Sequence, residues 1–306
     1  MIGRPVFWLV LVLSVVACRG GTADHELLGD EFYAQGEFLK ALAEYQTGVR
    51  ARPDPVLWAK AGGAALRAGD LPAAVDAYLQ LGLGDPTRQQ EAARGLERVI
   101  RSASRADSGS AIVASAMVAL RRAAPDRPIS RAALRRAGVA ELGHQEAVSI
   151  LPAILAVADG AQAVDRLLVS YGRALESTTA CEAATRAYRT ALRRASDTQL
   201  KGQAQVGLGA CALQLGWDAL DTDQPARAED WFATALLADT VGPVSQRARL
   251  GLGDARSRNG DLLGAAMWWG GLLAMPNLSD SLRLLATERL NAIATAEPPP
   301  TESEDA

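Results

Sequence analysis

The sequence predicts an all-α fold, a stack of short helical hairpins with an irregular middle and a single capping helix near its end. Three observations carry that prediction. The chain is rich in Ala, Leu, Arg and Gly and poor in Ile, Phe and Tyr, a balance that favours helices over sheets. Its apolar residues recur with helical period in short blocks, and Gly, Asp and Pro separate those blocks. The blocks also resemble one another along the chain. At 306 residues there is length enough for one large core or several small ones.

Residues 55–88 show the logic. Leu57, Trp58, Ala61, Gly62 and Ala65 form one apolar stripe of a helix over 57–68, and Leu71, Ala74, Val75, Tyr78 and Leu81 repeat it over 71–81. Gly62 and Ala74 are small where the two helices cross, and Trp58 and Tyr78 fill the wider gaps beside the crossing. Gly69-Asp70 supplies the turn, and Pro86 ends the second helix. A hairpin this short cannot bury both faces alone and needs neighbours of the same shape. The set Trp58, Ala61, Gly62, Ala65, Ala74, Tyr78 and Pro86 resembles the tetratricopeptide repeat, whose period is about 34 residues. The resemblance implies an α-solenoid, a right-handed superhelix whose concave groove is lined by the first helix of each hairpin and binds peptides or protein segments.

Taken in order, residues 1–17 read as a processing signal. Arg4 precedes an apolar run over 6–16 that is too short to span a bilayer comfortably. The run ends in Val15-Val16-Ala17-Cys18, which resembles the bacterial lipobox, where the cysteine is lipidated and becomes the new N-terminus. An ordinary secretory signal and an uncleaved anchor are the alternatives. Arg19, rather than an acid, follows Cys18 and leans towards the outer membrane, facing the periplasm. Residues 18–24 are expected to be a lipidated tether.

Residues 25–88 hold two repeats, the first marked by Leu28, Gly29, Phe32, Gly36, Phe38, Ala41, Tyr45 and Pro53, with Gly48 where the repeat usually has Ala. Residues 89–164 are irregular, with helices expected over 88–103, 110–124, 127–136 and 145–158, the last interrupted by Pro152. They continue the stack or form a separate small helical domain. The pattern returns over 165–279, in Tyr171-Gly172 with Tyr188, Gly216 with Phe232, and Gly253 with Trp269, the middle unit having a first helix extended back to about residue 200. Residues 280–295 cap the stack, and 296–306, with three prolines and several acids, are expected to be disordered.

No catalytic set is apparent. His25 and His144 are far apart and lack partners at metal-ligand spacing, and a solvated role is expected for His25. The glycine pattern over 207–212 matches a dinucleotide-binding motif, but no strand feeds it, so close helix packing explains it better. No cofactor or metal is expected. A net charge of −3, with arginines spread around helices, gives no argument for nucleic acid. Cys181 and Cys211 fall on helices expected to pack antiparallel, so they form a disulfide or remain two small buried apolar residues.

Carried over by position from the repeat, the groove candidates are Asp30, Tyr33, Arg67, Arg173, Trp217, Asp254 and Arg258. Glu26 and Asp30 stand where the chaperone-binding subset has its Lys/Asn clamp, which argues against that partner. Trp231 and Trp268 precede the core aromatics of successive hairpins and either pack against a neighbouring helix or form a docking ridge. The expectation is a non-catalytic adaptor anchored through Cys18 and binding proteins or peptides. A small-molecule binder or enzyme with its site in 89–164, and a self-associating structural lipoprotein, are the alternatives.

Overall fold

The computed structural model describes residues 22–106, 109–140 and 142–295. The signal over 1–17, the lipidation candidate Cys18 and the acidic tail over 296–306 lie outside the described residues. The described residues form helices and turns and divide into two compact units, one ending at Leu142 and the other beginning at Gly143. That division falls inside the stretch that sequence treats as one irregular region.

The first unit contains α1 (Thr22–Ala34), α2 (Phe38–Ala51), α3 (Pro55–Ala68), α4 (Leu71–Gly84), α5 (Gln89–Ala103), α6 (Ser110–Ala123) and the short α7 (Arg131–Arg136). Each packs on the next as antiparallel hairpins, and α4 also packs on α6. Helix α1 starts at Thr22, inside the stretch expected to be tether, with Asp24 in its first turn where an acid suits the positive helix end. Helix α7 starts at Arg131 rather than 127. Pro128 disfavours helical backbone at the residue before it, and Ser130 caps the helix by accepting from the Ala133 amide at 3.3 Å.

The second unit contains α8 (His144–Leu155), α9 (Ala161–Ser177), α10 (Cys181–Arg194), α11 (Thr198–Asp221), α12 (Pro225–Ala238), α13 (Pro243–Arg258), α14 (Leu262–Leu273) and α15 (Asp280–Thr295). Helices α9/α10, α11/α12 and α13/α14 are hairpins, and α15 closes the end by packing on α14 and α13. Helix α8 runs through Pro152 instead of breaking there. The extended α11, 24 residues long, packs its early turns on the hairpin before it and its late turns on α12. No helix among the described residues is long and apolar enough to cross a membrane.

The turns follow from local chemistry. Asp54 accepts from the Val56 amide at 2.6 Å ahead of Pro55, and Asp70 accepts from the Ala73 amide at 3.1 Å after Gly69 at φ 81°. The same Gly-Asp device returns at Gly260 (φ 83°) and Asp261, which accepts from the Gly264 amide at 2.8 Å.

One packing rule recurs in both units. An aromatic residue of each repeat's second helix packs directly on a glycine of its first helix: Tyr45 on Gly29, Tyr78 on Gly62, Tyr188 on Gly172, Phe232 on Gly216 and Trp269 on Gly253. The two partners are sixteen residues apart in all five. Three of these rings also meet a glycine of the following hairpin's first helix, Gly95 for Tyr78, Gly207 for Tyr188 and Gly251 for Phe232. Each such ring is therefore seated between two hairpins, and a side chain on either glycine would occupy the ring's space.

This rule separates two adjacent glycines. A Cβ at Gly62 would sit 2.9 Å from the Tyr78 ring, whereas one at Gly63 meets nothing within 4 Å. Gly62→Ala should lower the unfolding free energy by about 1–3 kcal/mol through overpacking. Gly63→Ala should leave it unchanged or raise it by up to about 1 kcal/mol through helix propensity. Urea denaturation of the two variants checks both.

Candidate partner-binding face

In the second unit the first helices of successive hairpins touch one another, α9 with α11 and α11 with α13, so they line one common face. The polar ends of the seated aromatics emerge there. Tyr188 donates its hydroxyl proton to Glu176 at 2.6 Å, and the Trp269 indole nitrogen donates to Asp254 at 3.2 Å and the Leu250 carbonyl at 3.3 Å. In the first unit Tyr45 donates to Asp30 at 2.7 Å in the same way.

Cations from the next helix complete these groups. Lys60 on α3 reaches back to α1, 2.6 Å from Asp30 and 2.7 Å from Glu26. Arg289 on α15 grips both oxygens of Asp254 at 2.5 and 2.9 Å. Burial raises the pKa of Asp30, but the hydrogen bonds from Lys60 and Tyr45 outweigh it and hold the carboxyl below the usual range. Burial lowers that of Lys60, and its bonds to Asp30 and Glu26 outweigh this and hold the ammonium above its ordinary value. Burial, followed by the Asp30 bond, pushes the Tyr45 hydroxyl up; Tyr188 is pushed up by burial and Glu176.

The groove candidates therefore have duties within the stack. Asp30 and Asp254 are held by Lys60 and by Arg289. Arg173 donates to Gln203 on α11 at 3.3 Å. Trp217 is a packing residue: it is half-buried, packs edge-on to Phe232 with ring centroids 5.1 Å apart, and joins the clusters on either side of it. Arg258 bonds the Leu220 carbonyl near the end of α11. Tyr33 stacks edge-on against Phe38, and Arg67 is exposed. His25 is half-buried rather than fully solvated, its ring nitrogen lying 2.8 Å from an oxygen of the half-buried Glu44 on α2.

Trp231 and Trp268 are half-buried against the cluster built around Phe232. The guanidinium of Arg189 lies 5.6 Å from the Trp231 ring, and that of Arg249 lies 5.9 Å from the Trp268 ring. Cys181, at the start of α10, and Cys211, within α11, are joined by a disulfide with their Cα atoms 5.0 Å apart. The 207–212 glycines sit inside α11, where Gly207 receives the Tyr188 ring.

Two open clefts stand out among the described residues. One, of about 640 Å³, lies between α9 and α11 and is lined by Arg173, Glu176, Tyr188, Gln203 and Val206. Val206 is 74% exposed there, an apolar step in a polar setting. The other, of about 550 Å³, lies beside Cys181, with Glu182, Arg186, Arg227 and Trp231 on its walls. Both suit side chains of a bound segment, and of their lining residues named here the sequence reading singled out only Arg173, Tyr188, Trp231 and Cys181. Aligning first helices would have exposed the Asp30–Lys60 and Arg173–Gln203 ties, because each joins residues 30 apart.

The pKa shifts give the ties a pH signature. Asp30, Glu97 and Asp239 all titrate below the ordinary range, so the stability they confer is present above about pH 4 and is lost as pH falls through their folded values. Lys60, shifted upward, confers stability that is present below about pH 10 and is lost as pH rises through its folded value. Denaturation across pH should show both limbs. Asp30→Asn should flatten part of the acid limb, by a small amount because the side chain is partly exposed.

Compared with known proteins, the chain is similar in fold to the apo form of the quorum sensor NprR from B. thuringiensis, at 10% identity over 90% of this chain and 71% of that one (TM-score 0.34). Pseudomonas aeruginosa pilF is 18% identical over 74% of this chain and 86% of its own (TM-score 0.30). The TPR2AB domain of yeast Sti1, in its pHSP90 complex, is 12% identical over 89% and 98% (TM-score 0.28). No curated protein matches the chain. Residues 27–86 and 213–270 match the tetratricopeptide repeat, placing repeats of that kind in both compact units.

Proposed function

We propose that this protein is a non-catalytic adaptor, lipid-anchored through Cys18 at the outer membrane, that holds protein or peptide partners in the periplasm and serves envelope assembly. Tetratricopeptide repeats are in general protein–protein interaction modules, and two segments of this chain match them. The observation that carries the reading is the common face of α9, α11 and α13, where successive first helices present polar side chains and a cleft of about 640 Å³ along one line. The anchor is supported by Val15-Val16-Ala17-Cys18. An oxidising compartment is supported by the Cys181–Cys211 disulfide.

Cross-linked pull-down from native envelope, comparing the intact chain with Cys18→Ser, tests the proposal. A stable set of envelope proteins recovered only with the anchored form is the expected result, together with acyl labelling that disappears in Cys18→Ser. Recovery of nothing specific by either form would overturn the adaptor reading, and unlabelled wild type would overturn the anchor.

A further inference from the structure

The even spread of arginine expected from the sequence fails on α5. Between residues 88 and 136 the chain carries eleven arginines against four acidic residues, within a protein of net charge −3. Four of them are exposed, Arg94, Arg98 and Arg101 at helical spacing on α5 and Arg105 in the turn that follows it. The three on α5 form a single row, opposite the buried Ala92, Leu96, Val99 and Ala103. Like charges at this spacing repel one another, so the row does not stabilise its own helix.

Its neighbours leave the row open. Glu97 beside it is already held by Arg127, Nε to Oε1 at 2.7 Å and Nη2 to Oε2 at 3.3 Å. Glu91 is paired with Arg88 at 2.7 Å. Arg127 and Arg136 pin the segment after α6 along the flank of α5, Arg136 donating to the carbonyls of Ser104 at 2.9 Å and Ala106 at 3.1 Å. Arg94 and Arg98 each donate one Nε–H to a carbonyl of their own helix, Gln90 at 3.1 Å and Arg94 at 3.3 Å. That steadies each guanidinium while its remaining donors stay available.

We propose that this row on α5 is a docking site for an acidic polypeptide segment bound in extended form. The inference rests on the adaptor reading and adds the chemistry of one partner. It lies outside both segments that match the repeat. Steps of three and four residues along a helix are about 4.5–6 Å. Alternate side chains of an extended chain are about 6.6 Å apart on one side. The three arginines on α5 span about 10 Å of helix and therefore match a strand of about five residues with a carboxylate at every second position. The planar guanidinium takes a carboxylate in two parallel hydrogen bonds. A row one side chain wide fits a thin chain better than a plane of lipid headgroups.

The test is fluorescence anisotropy with the full chain and a labelled peptide of about seven residues alternating Glu and Ser. Saturable binding that weakens as salt is raised from about 50 to 500 mM, and falls at least about tenfold in Arg98→Glu/Arg101→Glu, is expected. The neutral pair Arg98→Gln/Arg101→Gln should show a smaller loss with an unchanged circular dichroism spectrum, and Arg283→Glu in the second unit should bind as wild type. Three results would overturn the site: no peptide binding, binding insensitive to both pairs, or binding only to vesicles containing phosphatidylglycerol. If the cross-linked partners persist while the peptide fails, the adaptor reading survives and this site does not.

Discussion

Every repeat hairpin is positioned by a ring that needs a missing side chain. Tyr45, Tyr78, Tyr188, Phe232 and Trp269 each lie where the Cβ of a first-helix residue would otherwise stand. Removing such a ring would cost about 3–5 kcal/mol in a packed core. The glycine opposite it decides whether the ring can be seated at all. Because Tyr78, Tyr188 and Phe232 also touch a glycine of the following hairpin, the same contact that closes one hairpin sets the next. Stability is then shared between neighbours, as expected of an array whose members cannot bury their faces alone.

The ring contact also explains where the polar chemistry goes. At Tyr45, Tyr188 and Trp269 the hydroxyl or indole N–H reaches the first helix, and a carboxylate meets it there at Asp30, Glu176 and Asp254. The carboxylates of Asp30 and Asp254 then attract a cation from the next helix, Lys60 or Arg289. Apolar packing and a line of polar ties thus run side by side through the stack. Side chains left over from those ties, such as Val206 and the arginines of α5, are available to a partner.

Much of this was legible in the sequence. The small-residue and aromatic pattern of residues 25–88 gave the helices α1–α4, because capping Asp, turn Gly and terminal Pro act locally. Helix α7 came out short because the effect of Pro128 on its predecessor outweighed the helical propensity around it. The face was harder to read. Trp217, Asp254 and Arg258 were chosen by position along a helix, but their partners Phe232, Arg289 and Leu220 lie on other elements, and no single-helix pattern reports them. The pairing of His25 escapes a single-helix pattern for the same reason, since Glu44 is on α2. Net charge likewise hid the arginine row, since acids elsewhere cancel it in the total.

The central claim is that rings and glycines, rather than general apolar burial, key the hairpins together. A double-mutant cycle on Gly207 and Tyr188 tests it most directly, measured by urea denaturation of wild type, Gly207→Ala, Tyr188→Leu and the double variant. Gly207→Ala should be clearly destabilising with the ring present and nearly neutral once Tyr188 is Leu, a coupling of about 1–3 kcal/mol. An alanine penalty of the same size in both backgrounds would contradict the account.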